Sequence, residues 1–301
     1  MDNCFYPEGV LLKSPSNIKT IASQERLRQA VTEETILEAR ARMCDDSFRL
    51  IFDIGGRRGI MEPSESAFTQ DGFPPKDIAI ITRVAKPVSF VIKEIGTENG
   101  EPVYFLSRRR AQELCLDNYL DNLCDGDIVD ARVTHFEPFG CFCDIGCGIV
   151  SLLGIDCISV SRISHPRDRF FIGEYIRAAV KCRDEILFGK RGRIALTHKE
   201  LLGTWNENVS LFKAGETVPG IVRSVENYGI FIELAPNLAG LAEYRDGVSP
   251  GQTASVFIKS IIPSKHKIKL VIVEIIEDEK PAPHNNYYIS EGNISGFDYF
   301  S

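Results

Sequence analysis

Along "IVDARVTHF" (128–136) apolar and polar residues alternate in part, and "FGCFCDI" (139–145) also alternates. A period of two places Cys141, Cys143 and Ile145 on one face of a strand and Phe142 and Asp144 on the other. "YIRAAVKCRD" (175–184) and "RIALTHK" (193–199) repeat the strand signature, separated by a loop that carries Gly189 and Gly192. Two other stretches read as helical connectors: "SRRRAQELCLDNYLDNL" (107–123), with Ser107 as N-cap, and "HKELLGTWNENVSLF" (198–212), which holds Trp205. "SNIKTIASQERLRQAV" (16–31) reads as one short helix in an N-terminal extension over 1–30.

The strand unit recurs. "GDIVDARVTHFEPFGCFCDIGCGIVSLLG" from Gly126 aligns without a gap on "GETVPGIVRSVENYGIFIELAPNLAGLAE" from Gly215. The alignment pairs Val133 with Val222, Phe139 with Tyr228, Gly140 with Gly229, Phe142 with Phe231 and Asp144 with Glu233. A fainter copy lies at 36–66, where "FRLIFDIG" (48–55) echoes "FGCFCDIG". Three related units follow, over 31–113, 122–200 and 211–275, and the segment 276–301 reads as an acidic flexible tail. Five short strands in about 75 residues imply an all-β fold of tandem five-stranded OB-type barrels joined by short helical connectors.

The repeats also settle how to read the cysteines. Cys141 and Cys143 are matched by Ile230 and Ile232 in the third repeat and by Leu50 and Phe52 in the first. Hydrocarbon at the same positions marks the barrel interior, where a free thiol packs as a small apolar group. A zinc knuckle needs a second C-x-x-C pair, and the sequence offers none, so no metal or other cofactor is expected.

Charge changes the picture only in part. The formal net charge of −7 argues against a general affinity for polyanions, but the tail contributes much of it and the second repeat alone is close to neutral. The N-terminal stretch has no basic segment followed by an apolar one, and the longest apolar run, "KLVIVEII", is too short for a membrane span. Nine cysteines without an export signal fit a reducing cytoplasm. No GxxxxGK[ST], HExxH or GxSxG motif is present, and the carboxylates are scattered, so an enzyme is not expected.

Phe139 and Phe142 flank Gly140, and Tyr228 and Phe231 flank Gly229. Outward aromatics on an OB barrel are stacking platforms for unpaired bases. With the distal "GRIALTHKE", these segments resemble the S1 RNA-binding domain, and the whole order of units resembles bacterial proteins of the ribosomal protein S1 type, over about residues 31–275. The resemblance implies base stacking by Phe139, Phe142, Tyr228 and Phe231, phosphate contacts from Arg193 and Lys267 at the start of the last strand, and a loop-holding role for Asp184. It further implies single-stranded mRNA and the small ribosomal subunit as partners of a cytoplasmic monomer. The alternatives are a protein-interaction adaptor and a free factor in RNA turnover or transcription.

The chain departs from the family at three places. Where the family often has histidine, the three repeats have Glu62, Gly154 and Glu243. The first repeat keeps Phe48 but has Arg49 for the glycine and Ile51 for the second aromatic, so it reads as a docking module rather than a base-binding one. "SRISHPRDRF" (161–170) gathers Arg162, His165, Arg167 and Arg169 either as a phosphate-contacting rim or as a solvated loop paired to Asp168. "SRRR" (107–110) reads as a solvated turn or as a contact for an acidic partner, and His135 as a rim residue rather than a base.

Overall fold

Each repeat begins with a long strand that bends partway along, and this bend lets five strands close on themselves. In the computed structural model, which describes residues 5–70, 72–98, 100–183, 192–276 and 286–300, the first barrel is β1 (Leu37–Cys44), β2 (Leu50–Asp53), β3 (Arg58–Met61), β4 (Pro87–Glu98) and β5 (Glu101–Ser107). The second is β6 (Ile128–Glu137), β7 (Gly140–Asp144), β8 (Val150–Gly154), β9 (Tyr175–Arg183) and β10 (Ile194–Thr197). The third is β11 (Thr217–Glu226), β12 (Gly229–Ala235), β13 (Leu238–Ala242), β14 (Thr253–Ile262) and β15 (Lys267–Ile276). In every barrel the first strand pairs with both the second and the fourth, and the third runs parallel to the fifth, which closes the sheet. The first strand breaks register at equivalent places, Ala41/Met43, Val133/His135 and Val222/Ser224. A bulge there increases twist and turns the corner between the two partner strands. The faint first repeat therefore closes as fully as the other two.

The alternation read from the sequence sets the interior. Cys141, Cys143 and Ile145 are buried in the second barrel, with Ile230 and Ile232 in the third and Leu50 and Phe52 in the first. The sulfurs of Cys141 and Cys143 lie 3.9 Å apart, packed among Val133, Leu153 and Ile176. Gly140 and Gly229 start their strands with φ of +157° and +151°. A Cβ at Gly140 would lie 2.4 Å from the Leu153 carbonyl oxygen, and one at Gly229 would lie 2.5 Å from that of Ala242. No side chain fits between these strand pairs.

The expected N-terminal helix is two helices, α1 (Pro15–Ala22) and α2 (Gln24–Thr32), because Ser14 and Ser23 each accept a backbone N–H and start a helix of their own. A short α3 (Asp77–Ile81) lies between β3 and β4. Ser107 caps α4 (Arg108–Asn118) as read, by accepting from the Arg110 backbone N–H. α5 (Trp205–Val209) is closed by a reciprocal Thr204–Glu207 capping box.

The "SRRR" arginines do meet acidic partners, but within the chain. Arg108 is buried and donates to Glu8 at 2.6 Å, Arg109 pairs with Glu113, and Arg110 forks onto Glu34. Glu8 also takes Arg83, while Asp144 accepts from the Glu8 N–H at 2.7 Å. This cluster joins the first barrel to the second. Arg169 joins the second to the third: it is 1% exposed and pairs with Glu233 of β12, which also accepts from Arg223 at 2.8 Å.

The C-terminal segment differs from the flexible tail expected from its composition, since residues 286–300 are packed on the second and third barrels. Asn293 bridges Asp127, and Tyr288 N–H donates to the Leu201 carbonyl. The Tyr299 carbonyl accepts from Trp205 N–H, and the Phe300 ring lies 4.7 Å from that of His266. Aromatic residues at Tyr287, Tyr299 and Phe300 anchor it, a signal that the polar composition obscures.

His198 lies beneath this segment, with Nδ1 2.8 Å from the Ile158 carbonyl and Nε2 3.2 Å from the Tyr287 hydroxyl. The carbonyl requires a proton on Nδ1, and Nε2 accepts from the hydroxyl, so the ring is neutral. Burial pushes the imidazole down to about 4 from its ordinary 6.5. Between those values the unfolded chain binds a proton that the folded chain does not, so stability is complete above 6.5 and falls as the pH drops toward 4. At about 1.4 kcal/mol per unit, the loss approaches ~3 kcal/mol. Denaturant melts across this range should show a smaller acid-side loss for His198→Gln than for wild type. Gly140→Ala should lower stability by about 2 kcal/mol or more at every pH, read as a drop in the unfolding midpoint.

Candidate nucleic-acid interface

The steric closure at Gly140 and Gly229 decides where the flanking rings go. Phe139 is 56% exposed and Tyr228 70%, each at the tip of the first hairpin of its barrel. Phe142 and Phe231, two residues beyond each glycine, are half-buried and face outward, since their neighbours on both sides point into the barrel. The rings of Phe139 and Phe142 meet edge to face at 6.5 Å and 87°, and those of Tyr228 and Phe231 at 6.1 Å and 85°. Two barrels thus carry the same exposed aromatic corner.

Strand register extends each corner sideways. In the second barrel His135, Phe142, Leu152 and Ala195 lie side by side across β6, β7, β8 and β10. The His135 imidazole lies nearly parallel to Phe142, 27° apart with centroids at 6.5 Å, and its Nε2 is 2.9 Å from Glu137. In the third barrel the row is Ser224, Phe231, Leu241 and Lys269. The platforms therefore differ: one adds an imidazole and the other a lysine. The corresponding row of the first barrel, Met43, Ile51, Ile60 and Phe105, carries only a half-buried ring. Arg49, in place of the glycine, is tied to Asp45 and Glu98.

The basic residues divide into those at the surface and one that is not. Arg193 is exposed just before β10, and Lys267 is exposed at the start of β15, two residues from Lys269 on the same outward row. Arg162 and Arg167 are exposed in the loop after β8. His165 is half-buried there, edge-on to Phe136 at 5.9 Å, with the Arg167 guanidinium 6.0 Å from the same ring. Phe136 follows His135 directly, so this loop lies against the end of the strand that bears the platform. The loop is held by Asp168, which accepts from the N–H groups of Ser164 and His165. Arg169 is a correction to the sequence reading: it is buried in the joint between barrels and cannot contact a phosphate. Asp184 lies outside the described residues.

Of the polar side chains beside the rings, His135 was read from the sequence only as a rim residue, and Lys269 was not singled out. The signal for Lys269 was present in its phase, since Lys267 and Lys269 alternate with buried Ile268 and Leu270. The signal for His135 was obscured by the bulge, which shifts the phase of β6 by one residue. Glu243 is exposed and Gly154 adds no side chain, so neither adds a cation to the platforms. Stacking surface flanked by a few cations suits a strand with unpaired bases, at about 1–3 kcal/mol per stacked base.

Against known proteins, the chain is 26% identical over 289 residues to small ribosomal subunit protein bS1 of Staphylococcus epidermidis, covering 90% of this chain and 69% of that protein. It is 25% identical over 289 residues to bS1 of Staphylococcus aureus, covering 90% and 70%. A solved multidomain protein with nucleic acid binding domains from Streptococcus pneumoniae is 12% identical, covering 80% of this chain and 73% of that one, with a TM-score of 0.25, too remote to carry an argument. No protein-family model matches the chain. Three closed five-stranded barrels in tandem, the repeated aromatic–glycine corner and relatives matched over most of both lengths make this chain an S1-like protein, with a degenerate first repeat.

Proposed function

We propose that this chain binds single-stranded RNA through its second and third barrels and helps mRNA engage the small ribosomal subunit. The observation that carries the reading is the pair of half-exposed aromatic corners, each fixed by a glycine with no room for a side chain. Stacking on ring faces is indifferent to base identity, so sequence preference should be weak. With Gly154 and Glu243 beside the platforms, each barrel should bind weakly, and linkage of two barrels raises the overall affinity.

The ribosomal part of the proposal rests on the relatives, which are named as small-subunit proteins. The first barrel, without exposed paired rings, is then the docking module. The same reading makes the protein a cytoplasmic monomer that binds rather than catalyses. Among the described residues no helix is long and apolar enough to cross a membrane. The adaptor reading is favoured by one observation, the exposed Glu243 across from Gly229, which repels phosphate.

Fluorescence anisotropy with a short unstructured RNA separates these readings. Phe142→Ala combined with Phe231→Ala should weaken binding by about 2 kcal/mol or more while the protein remains folded at the assay temperature, within the range for two stacked bases. Wild-type protein that ignores RNA even at low salt would leave protein docking as the role of the barrels. For the ribosomal role, the double variant should still co-sediment with mRNA-free small subunits, whereas deletion of residues 1–113 should abolish co-sedimentation. Retention after that deletion would rule out the first barrel as the dock.

A further inference from the structure

A cleft of about 340 Å³ opens where the first and second barrels meet, away from the aromatic corners. Three cations from separate elements line it: Lys13 after the first turn of the chain, Arg40 of β1 and Arg132 of β6, beside Tyr175 and Pro87. Among the described residues none of the three cations forms an ion pair. Elsewhere on this chain several arginines are paired with a carboxylate, including Arg42, Arg49, Arg83, Arg108, Arg110 and Arg177. Gathering three like charges without a counter-charge is unfavourable unless an anion completes the set.

The nearby carboxylates do not supply that anion. Glu38 lies under the cleft floor, almost fully buried, and its oxygens accept from the backbone N–H groups of Gly9 and Leu12. Glu8 is engaged by Arg108 and Arg83, and Asp144 by the N–H groups of Glu8, Gly146 and Gly148. The cations are held by neutral groups instead. Arg132 donates to the carbonyls of Glu8 at 3.2 Å and Gly173 at 3.4 Å, and Arg40 to that of Ala85 at 2.8 Å. Each guanidinium has five N–H donors, so both retain several for a ligand. Tyr175 is 50% exposed, with the Arg132 guanidinium 5.6 Å from its ring centroid.

We propose that this cleft is an additional RNA-binding site, taking backbone phosphates on Lys13, Arg40 and Arg132 and one base against Tyr175. The proposal rests on the reading above that the chain binds single-stranded RNA, and extends it to the joint between barrels. Arg132 and His135 are three residues apart on β6, roughly 10 Å along a strand, so one RNA can span cleft and platform. The first barrel then contributes to RNA binding through its rim, not through the degenerate aromatic row.

The test compares two unstructured RNAs, one of about 5 nucleotides and one of about 15, within the span of site sizes for such barrels. In Lys13→Gln plus Arg40→Gln both residues are exposed and remote from the platforms, and the unfolding midpoint should not change. Affinity for the longer RNA should fall about tenfold and its salt slope by about 1.4, at 0.7 per lost phosphate contact, with the shorter RNA unaffected. Tyr175→Leu should weaken the longer RNA several-fold but leave competition by inorganic polyphosphate unchanged, which distinguishes an RNA site from a general anion site. Unchanged affinity and slope in the double variant, with wild type binding both RNAs, would overturn the cleft alone. Wild type that binds neither RNA would overturn the cleft together with the RNA reading.

Discussion

The buried carboxylate at the end of the second strand holds this molecule together as one object rather than three. Asp144 in the second barrel and Glu233 in the third occupy the same place in their repeats, and each meets the preceding unit there. Asp144 takes the Glu8 N–H within the Arg108 cluster, and Glu233 takes Arg169. Desolvating such charges offsets much of their attraction, so the joints contribute little net stability compared with a hydrocarbon contact of equal volume. Their effect is on geometry. A carboxylate between two arginines accepts few arrangements, whereas apolar surfaces can slide. The third acidic residue of the series, Asp53, is tied to Arg42, while Arg57 beside it reaches the Ile21 carbonyl of α1. The N-terminal helix α1 thus meets the first barrel beside the same acidic position.

The C-terminal segment acts on the same joint from the other side. It crosses from β6 and β9, by way of the connector at Leu201 and Trp205, to Asn237 and His266 of the third barrel. Asn237 is the central residue of this arrangement. Its side chain donates to the carbonyls of Lys199 and Gly203 and accepts from Val160 N–H, so one buried amide reads three positions of the second barrel and its connector. With the joint fixed on both flanks, the two aromatic corners have a set spacing, and a linked pair of weak sites gains most when their separation is fixed to match the ligand.

What the sequence reveals and what it hides follow from the range of the interactions. Alternation, caps and hairpin glycines are local: Cys141 and Cys143 inside, Ser107 at a helix start and Gly140 between two rings were all legible. The repeat alignment added the barrels by letting one unit explain another. Arg169 was not legible, because its burial depends on Glu233, sixty-four positions away, and within its own loop it looks like its exposed neighbours Arg162 and Arg167. Residues 286–300 were misread for a related reason. Composition averages over a segment, but a few rings, Tyr287 on His198 and Phe300 on His266 among them, are enough to hold it.

The same division explains how a chain of net charge −7 can present surfaces suited to a polyanion. Four of its carboxylates, Glu8, Glu38, Asp144 and Glu233, are buried at or near the joints, where backbone N–H groups and buried arginines satisfy them. The surface cations that form no ion pair among the described residues include Arg162 and Arg167 beside the second platform, Lys267 and Lys269 on the third, and Lys13, Arg40 and Arg132 in the cleft. Screening in physiological salt acts over about 8 Å, so a phosphate at one of these places is governed by the few charges around it and not by the sum over the chain. Net charge sets long-range steering and therefore the rate of encounter; the local grouping sets what holds once contact is made.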